Sequence, residues 1–408
     1  MKAEKKPFLC SANSVKNSLK ISRYSPISLA RINMHFTGLA LISQQSKVTY
    51  LMNVSTLNVK ISKTENSRIG ELDKNNLVFG KQYADHMLVC DYSDGEWHTP
   101  EIMPYGNLSL SPATSFFHYG QAIFEGVKAY RHPDGSVVIF RPQDNWRRLN
   151  VSAARLDMPA IPEEIFMEGM RQLIELDQNW VPDGEGTSLY IRPFMVGVDE
   201  FVGVRSSFNY KFMIITSPAG AYYSKPVRIY VQDKYVRAVP GGIGFTKAAG
   251  NYGASMLPTN EVKKMGYDQI LWTDAFEHKY VQEIGTMNVF FIVDGKVLTP
   301  DLSLGTILAG VTRDSIITLL KENGIPVEER RVTIDELVEA QKAGKLQEAF
   351  GSGTAASMSM ISDLTYNGET LNLPPVDSWS IAPMIKKQLD DIRYGHKPDN
   401  HGWIYKVC

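Results

Sequence analysis

Apolar and polar positions follow two rhythms along this chain. Strand-like runs bracket the pairs Asp94-Gly95, Asp134-Gly135 and Asp294-Gly295. An Asp-Gly pair between two such runs predicts a hairpin, because both residues tolerate positive φ. Between 165 and 180 the period changes. Ile165, Phe166, Met170, Leu173 and Leu176 recur at helical spacing and predict a helix with one apolar face, read as core. A second helix is predicted from about Thr312, with Ile316, Leu319 and Leu320 on one side and Gly324 as its stop. A third opens at Thr333, with Glu336 completing a capping box. Hairpins mixed with helices predict an α+β protein. Strand-like 211–216 gives way to turn residues before 227–232, which places a boundary near 220–226. We therefore expect a first domain over 52–219, a connection over 220–230 and a second domain over 231–408. There is no internal repeat or strong low-complexity tract.

Composition narrows the class. A chain of 408 residues is long enough for two or three sizeable cores. A net charge of −1 gives no electrostatic case for nucleic acid or an anionic membrane. No apolar run approaches the roughly 20 residues that span a bilayer. The cysteines Cys10, Cys90 and Cys408 are odd in number and far apart, which suggests a reducing compartment rather than a disulfide framework. Residues 1–51 differ from the rest: Lys2, Lys5, Lys6, Lys16, Lys20, Arg23, Arg31 and Lys47 stand against the single acid Glu4, with many serines. That is the composition of a mitochondrial transit peptide, and Met52 as the true start is the competing explanation. We expect a cytoplasmic enzyme of bacterial type, with mitochondrial targeting as the alternative. No metal site is expected.

The chemistry centres on Lys247. It stands in a glycine-rich stretch, 241–253, flanked by Phe245, Thr246, Ala248 and Ala249. Partial desolvation there favours the neutral amine, the form that condenses with an aldehyde or ketone. Tyr252, five residues on, offers a phenol to the same place. Glu283 lies in a largely apolar strand-like run and requires a partner: either a neighbouring Lys or Arg, or a protonated heterocyclic nitrogen. Two segments read as phosphate grips. One is the start of the predicted helix at Thr312, where backbone N–H groups are free. The other is 351–355, Gly-Ser-Gly-Thr-Ala, read as a turn whose amides and Thr354 hydroxyl form a nest. Arg141, after a strand, adds a charge-assisted contact to the phosphate. A glycine-rich turn with an incidental lysine is the bland alternative.

These stretches together resemble a branched-chain amino-acid aminotransferase, a fold-type IV pyridoxal-phosphate enzyme. The matching segments run in family order: Val78-Phe-Gly-Lys, Phe117-His-Tyr-Gly with Phe124-Glu-Gly, Phe140-Arg-Pro, Leu189-Tyr-Ile-Arg-Pro, Gly220-Ala-Tyr, 247–253, Glu283-Ile-Gly-Thr-Met-Asn, Gly310-Val-Thr-Arg and Gly351-Ser-Gly-Thr-Ala. The resemblance covers roughly 66–408. It implies a smaller N-terminal α/β domain and a larger C-terminal domain, with pyridoxal 5′-phosphate between them. Lys247 would hold the cofactor as a Schiff base and move the proton at substrate Cα. Glu283 would pair with the ring nitrogen, and Tyr252 with the phenolic oxygen. Arg141, Val311, Thr312 and Thr354 would hold the phosphate. Thr286 and the Ala355 amide would receive the substrate α-carboxylate. Tyr190 and Arg192, which share one strand face, would close the side-chain pocket, with Phe124 as its apolar wall. Tyr119, Val202 and Val204 would reach in from a partner subunit, so a homodimer or higher homo-oligomer is implied.

The substrates implied are leucine, isoleucine or valine and 2-oxoglutarate, since an apolar wall suits the first group and Arg192 a side-chain carboxylate. One departure is visible. Where some eukaryotic members carry a redox Cys-x-x-Cys, this chain has Ala356 and Ser359, so thiol control through that pair is not expected. A D-amino-acid aminotransferase or an aminodeoxychorismate-lyase-like enzyme of the same fold is the alternative. A non-catalytic carrier of the cofactor is a third reading, disfavoured by Glu283.

Overall fold

The computed structural model describes residues 57–220 and 225–408. The basic segment 1–51 and part of the expected connection lie outside these. The described residues form two large mixed sheets with helices packed on them, and the α+β expectation is met.

The first sheet is centred on two long antiparallel strands, Ser188–Gly197 and Tyr210–Ala219. The strand His86–Ser93 flanks one side, and Val127–Arg131 and Val137–Phe140 flank the other. The C-terminal strand Ile404–Lys406 returns to this sheet and pairs with Val137–Phe140. Helices Pro142–Arg155 and Glu163–Leu176 cover it. The apolar stripe read at Ile165, Phe166, Met170 and Leu173 is buried, packed with Leu88, Ile102 and Phe212.

The second sheet runs through Val227–Val231, Ser357–Tyr366, Leu346–Gly353 and Asn288–Val293. Its core stacks Phe290 on Phe350, with ring centroids 5.0 Å apart. Helices Val311–Glu322 and Ile381–Arg393 contribute Ile316, Leu320, Ile385 and Leu389 to the same cluster. Tyr130, Val138 and Phe140 of the first sheet also join it, so the two layers share apolar contact.

The Asp-Gly turns form as predicted, with a difference among them. At Asp94-Gly95 and Asp294-Gly295 both residues have positive φ, the two-residue hairpin geometry. At Asp134-Gly135 only the glycine does, and the connection lengthens to residues 132–136. The capping box is half formed. The Thr333 hydroxyl accepts from the Glu336 amide at 3.1 Å, but the Glu336 carboxylate turns to Arg330 at 3.0 Å.

Two local expectations are corrected. The run around Glu283 is not one strand but two, Val281–Ile284 and Asn288–Val293. Gly285 has φ of 55° and Ile284 pairs back onto Met287, which folds the chain at Thr286. Likewise Gly351–Gly353 completes a strand, and only 354–356 form the turn. Asn288 pairs with Ser352, so these two turns are brought to the same end of neighbouring strands. Among the described residues no helix is long and apolar enough to cross a membrane.

Candidate active site

Lys247 sits immediately before helix Ala249–Lys264, in backbone that the rest of the fold holds still. Its N–H donates to the Ser152 hydroxyl at 3.0 Å, and its carbonyl accepts from the Phe124 N–H at 3.0 Å. Its Nζ lies 3.1 Å from the Tyr252 hydroxyl, because the first helical turn carries Tyr252 back over the lysine. The Phe124 ring is the common wall. Lys247 Nζ lies 5.0 Å from its centroid and the Arg192 guanidinium 4.6 Å, while Tyr252 packs against it at 4.7 Å. Arg192 donates to the Tyr190 hydroxyl at 2.9 Å, and its Nε is buried without a partner. The strand Ser188–Gly197 thus places both pocket-end residues on the same face. Gly126 is glycine for a steric reason, since a Cβ there would overlap the Tyr190 hydroxyl.

Glu283 is fully enclosed. Its Oε2 pairs with Arg237 Nε at 2.7 Å, and its Oε1 accepts from the Leu308 N–H at 2.9 Å. Burial pushes the carboxyl up, opposed by Arg237, the Leu308 amide and the nearby Lys247 charge. Arg237 also donates to the Gly244 and Thr306 carbonyls, at 3.2 and 2.9 Å. It therefore ties Glu283 to the loop that leads into Lys247. The partner demanded by a buried carboxylate is thus present within the chain, although the sequence reading did not single it out.

The two segments read as phosphate grips meet one another. Helix Val311–Glu322 begins after Gly310 with no side-chain cap, leaving its first amides available to a ligand. Thr312 is buried and contacts the Gly353 carbonyl at 3.4 Å, which joins this terminus to the 354–356 turn. Val311, Thr312 and Thr354 line one small cavity. Thr286 is exposed in its turn, beside the strand end that leads to Ala355.

Arg141, expected at the phosphate, has partners within the chain. Its guanidinium is engaged by Asp144 and Asp314, each at 2.7 Å, and by Ser315 at 2.9 Å. The Asp314 carboxylate is largely exposed, while the Arg141 side chain itself is mostly covered and lies over the Trp403 ring at 5.3 Å. Two helical turns on, Arg148 is buried, held two-pronged by Glu125 at 2.7 and 2.8 Å, and donates to the Ala309 carbonyl at the entry to the 311 helix. Burial alone would raise the Glu125 carboxyl, but Arg148 pulls it below the usual carboxylate range. Asn145, Arg148 and Ser152 form a polar stripe on the buried side of helix Pro142–Arg155: two brace Glu125 and the third holds Lys247. Polar residues at helical spacing beside apolar Leu149 were the readable signal for it.

Tyr119, Val202 and Val204 lie on the surface, with Val204 88 % exposed. The two segments are joined by the Ser115 N–H to Asp199 carbonyl bond. Asp199 also fixes its loop by accepting from Phe208, Asn209 and Arg205. Phe117, Phe201 and Phe208 are exposed on the same two segments.

Comparisons with known proteins bear on the family and the fold. The family model described as amino-transferase class IV matches residues 122–363. Branched-chain-amino-acid transaminase 1 of Bacillus subtilis (strain 168) is 48 % identical over 340 residues, covering 82 % of this chain and 95 % of that one. The branched-chain-amino-acid aminotransferase of Mycolicibacterium smegmatis is 43 % identical over 338 residues, covering 81 % and 92 %. Among solved structures, the branched-chain aminotransferase of Thermoproteus uzoniensis with norvaline aligns at a TM-score of 0.66 and 25 % identity, covering 79 % of this chain and all of that one. The branched-chain amino acid aminotransferase from Escherichia coli aligns at 0.64 and 26 %, covering 79 % and 99 %. A lysine paired with a tyrosine, a buried acid and an uncapped helix terminus stand in a fold shared with these enzymes, and the chain belongs to the branched-chain amino-acid aminotransferases of the class IV aminotransferase family.

Proposed function

We propose that this enzyme transfers the amino group of leucine, isoleucine or valine to 2-oxoglutarate, giving the branched 2-oxo acid and glutamate. The observation that carries the reading is the Phe124 ring, which has the Lys247 amine on it at 5.0 Å and the Arg192 guanidinium at 4.6 Å. An apolar side chain rests on that wall, and a side-chain carboxylate reaches the cation beside it.

The residues fit pyridoxal 5′-phosphate, the cofactor implied by the family. Bound here, it supplies an electron sink for charge developing at substrate Cα. Lys247 Nζ removes and returns the proton at Cα, with the Tyr252 hydroxyl orienting it. Glu283 is the acid for a ring nitrogen, and Arg237 favours its ionised form. Val311, Thr312 and Thr354 hold the phosphate, and Arg148 replaces Arg141 as the cation on that side. Thr286 and the Ala355 amide receive the α-carboxylate. Tyr119, Val202 and Val204 complete the pocket of a second copy, so the working form is a homodimer. Its place is the cytoplasm.

A paired assay tests the substrate reading: leucine and D-alanine, each with 2-oxoglutarate. Turnover with leucine and none with D-alanine is expected; the reverse preference would move the chain to the D-amino-acid enzymes of this fold.

Glu283→Gln removes the anion but keeps the shape. Turnover should fall with every amino donor while cofactor binding is largely retained through the phosphate. The folded state should also lose up to about 3–5 kcal/mol, because Arg237 is left buried without its partner. Unchanged turnover with lowered thermal stability would make the carboxylate structural only.

A further inference from the structure

The helix Ile381–Arg393 ends on a residue that the reading above leaves unused. Arg393 is 3 % exposed and lines the same small cavity as Val311, Thr312 and Thr354. Its guanidinium rests 4.6 Å from the Phe140 ring centroid. One terminal nitrogen donates to the Ser357 hydroxyl at 2.6 Å, the other to the Thr312 hydroxyl at 3.5 Å. Arg393 thus touches both halves of the phosphate grip, the helix terminus at 312 and the strand that follows the 354–356 turn. Its nearest carboxylate, Asp390, lies 3.6 Å away, and its Nε is buried with no partner.

A second cation, Lys128, lines the cavity and donates to the Ala355 carbonyl at 3.0 Å. Burial first, then repulsion from Arg393, push the Lys128 amine down to about 7. The other lining residues are Gly126, Val127, Tyr130, Phe140 and Asn145, none of them acidic. Burial pushes the Tyr130 phenol up to about 12, so it too brings no negative charge at neutral pH. The buried Arg393 guanidinium, with Asp390 3.6 Å away as its carboxylate partner, and the half-buried, readily neutralised Lys128 amine face a cavity with no carboxylate in its wall, a setting that an anion completes. A guanidinium is the side chain whose planar fork suits a phosphate.

We propose that Arg393 is a further anion-binding residue of this pocket, set against the cofactor's phosphate from the C-terminal helix and fastening the 312 terminus to the 354–357 segment. This rests on the reading of the site as a pyridoxal-phosphate pocket. It also assigns a use to the C-terminal helix: the residue that closes the grip is the last one of that helix. The Lys128 amine, drawn to the Ala355 carbonyl, holds the same turn from the first sheet.

The test is titration of cofactor-free protein with pyridoxal 5′-phosphate and, separately, with pyridoxal, which lacks the phosphate. Binding is followed by absorbance for the wild type, Arg393→Gln and Arg393→Lys. Arg393→Gln should bind pyridoxal 5′-phosphate at least tenfold more weakly than wild type and pyridoxal equally well. Arg393→Lys keeps the charge without the fork and should recover part of that loss. Inorganic phosphate should compete less effectively in the glutamine variant. Thermal unfolding of the cofactor-free variants reports their folding, and if the glutamine variant does not fold, the lysine variant carries the test by the same phosphate-specific loss. Equal losses for the two ligands, or none, would overturn the proposal and leave Arg393 a packing residue. A wild-type protein with no preference for the phosphorylated ligand would instead remove the pocket reading itself.

Discussion

Lys247→Ala is expected to abolish amino-group transfer while leaving the fold intact. The loss should be at least ~10²–10⁴-fold, the usual contribution of one positioned proton-transfer group, before any loss from the missing covalent link is added. The fold should survive because the Lys247 backbone, not its side chain, makes the structural contacts: its N–H to Ser152 and its carbonyl to Phe124 remain. Cofactor binding should weaken but persist, since the elements assigned to the phosphate do not involve this side chain. Borohydride reduction of the wild-type protein followed by peptide mapping gives an independent check. The reduced cofactor should be found on the peptide carrying Lys247; recovery on another lysine would remove the assignment.

Arg192→Met should separate the two half-reactions. The guanidinium rests on the Phe124 ring and donates to Tyr190, while its buried Nε still lacks a partner. A side-chain carboxylate of glutamate or 2-oxoglutarate would meet that charge; a leucine side chain would not. Loss of a desolvated charge pair costs about 2–5 kcal/mol, roughly 30- to 5,000-fold in the glutamate half-reaction. The leucine half-reaction should change far less, because methionine preserves apolar contact with Phe124. Single-turnover absorbance, following each half-reaction separately, measures the split. Equal loss with both amino acids would assign Arg192 to the fold or to the α-carboxylate, and the dual-substrate pocket would have to be abandoned.

Arg141 and Arg148 illustrate what a linear reading misses. Arg141 was conspicuous because it follows a strand and precedes a proline. In the folded chain its backbone is left-handed, with φ of 51°, and its guanidinium is taken up by Asp144, Asp314 and Ser315. Arg148 looks like an ordinary charge within an amphipathic helix, and only burial against Glu125 distinguishes it. Arg237 and Arg393 were invisible for the same reason. Each acquires its meaning from a partner distant in sequence: Glu283 for one, Thr312 and Ser357 for the other.

What the sequence determined by itself is local. The Asp-Gly turns, the apolar stripe of 165–176, the stop at Gly324 and the Thr333 cap follow from φ preferences and helical spacing, interactions that span a few residues. The family's motifs likewise marked Lys247, Tyr252, Glu283, Tyr190 and Arg192, since each sits in a short recognisable string. Tertiary structure decided which charges face one another. Glu283 received Arg237 as its partner, the strand through it broke at Gly285, Arg141 paired with Asp144 and Asp314, and Arg148 paired with Glu125. These outcomes depend on burial and on the geometry of long-range ion pairs, whose energies change several-fold with a few ångströms of displacement or a change of solvent exposure. No local pattern encodes that distance, so it is set only when the two sheets and their helices pack.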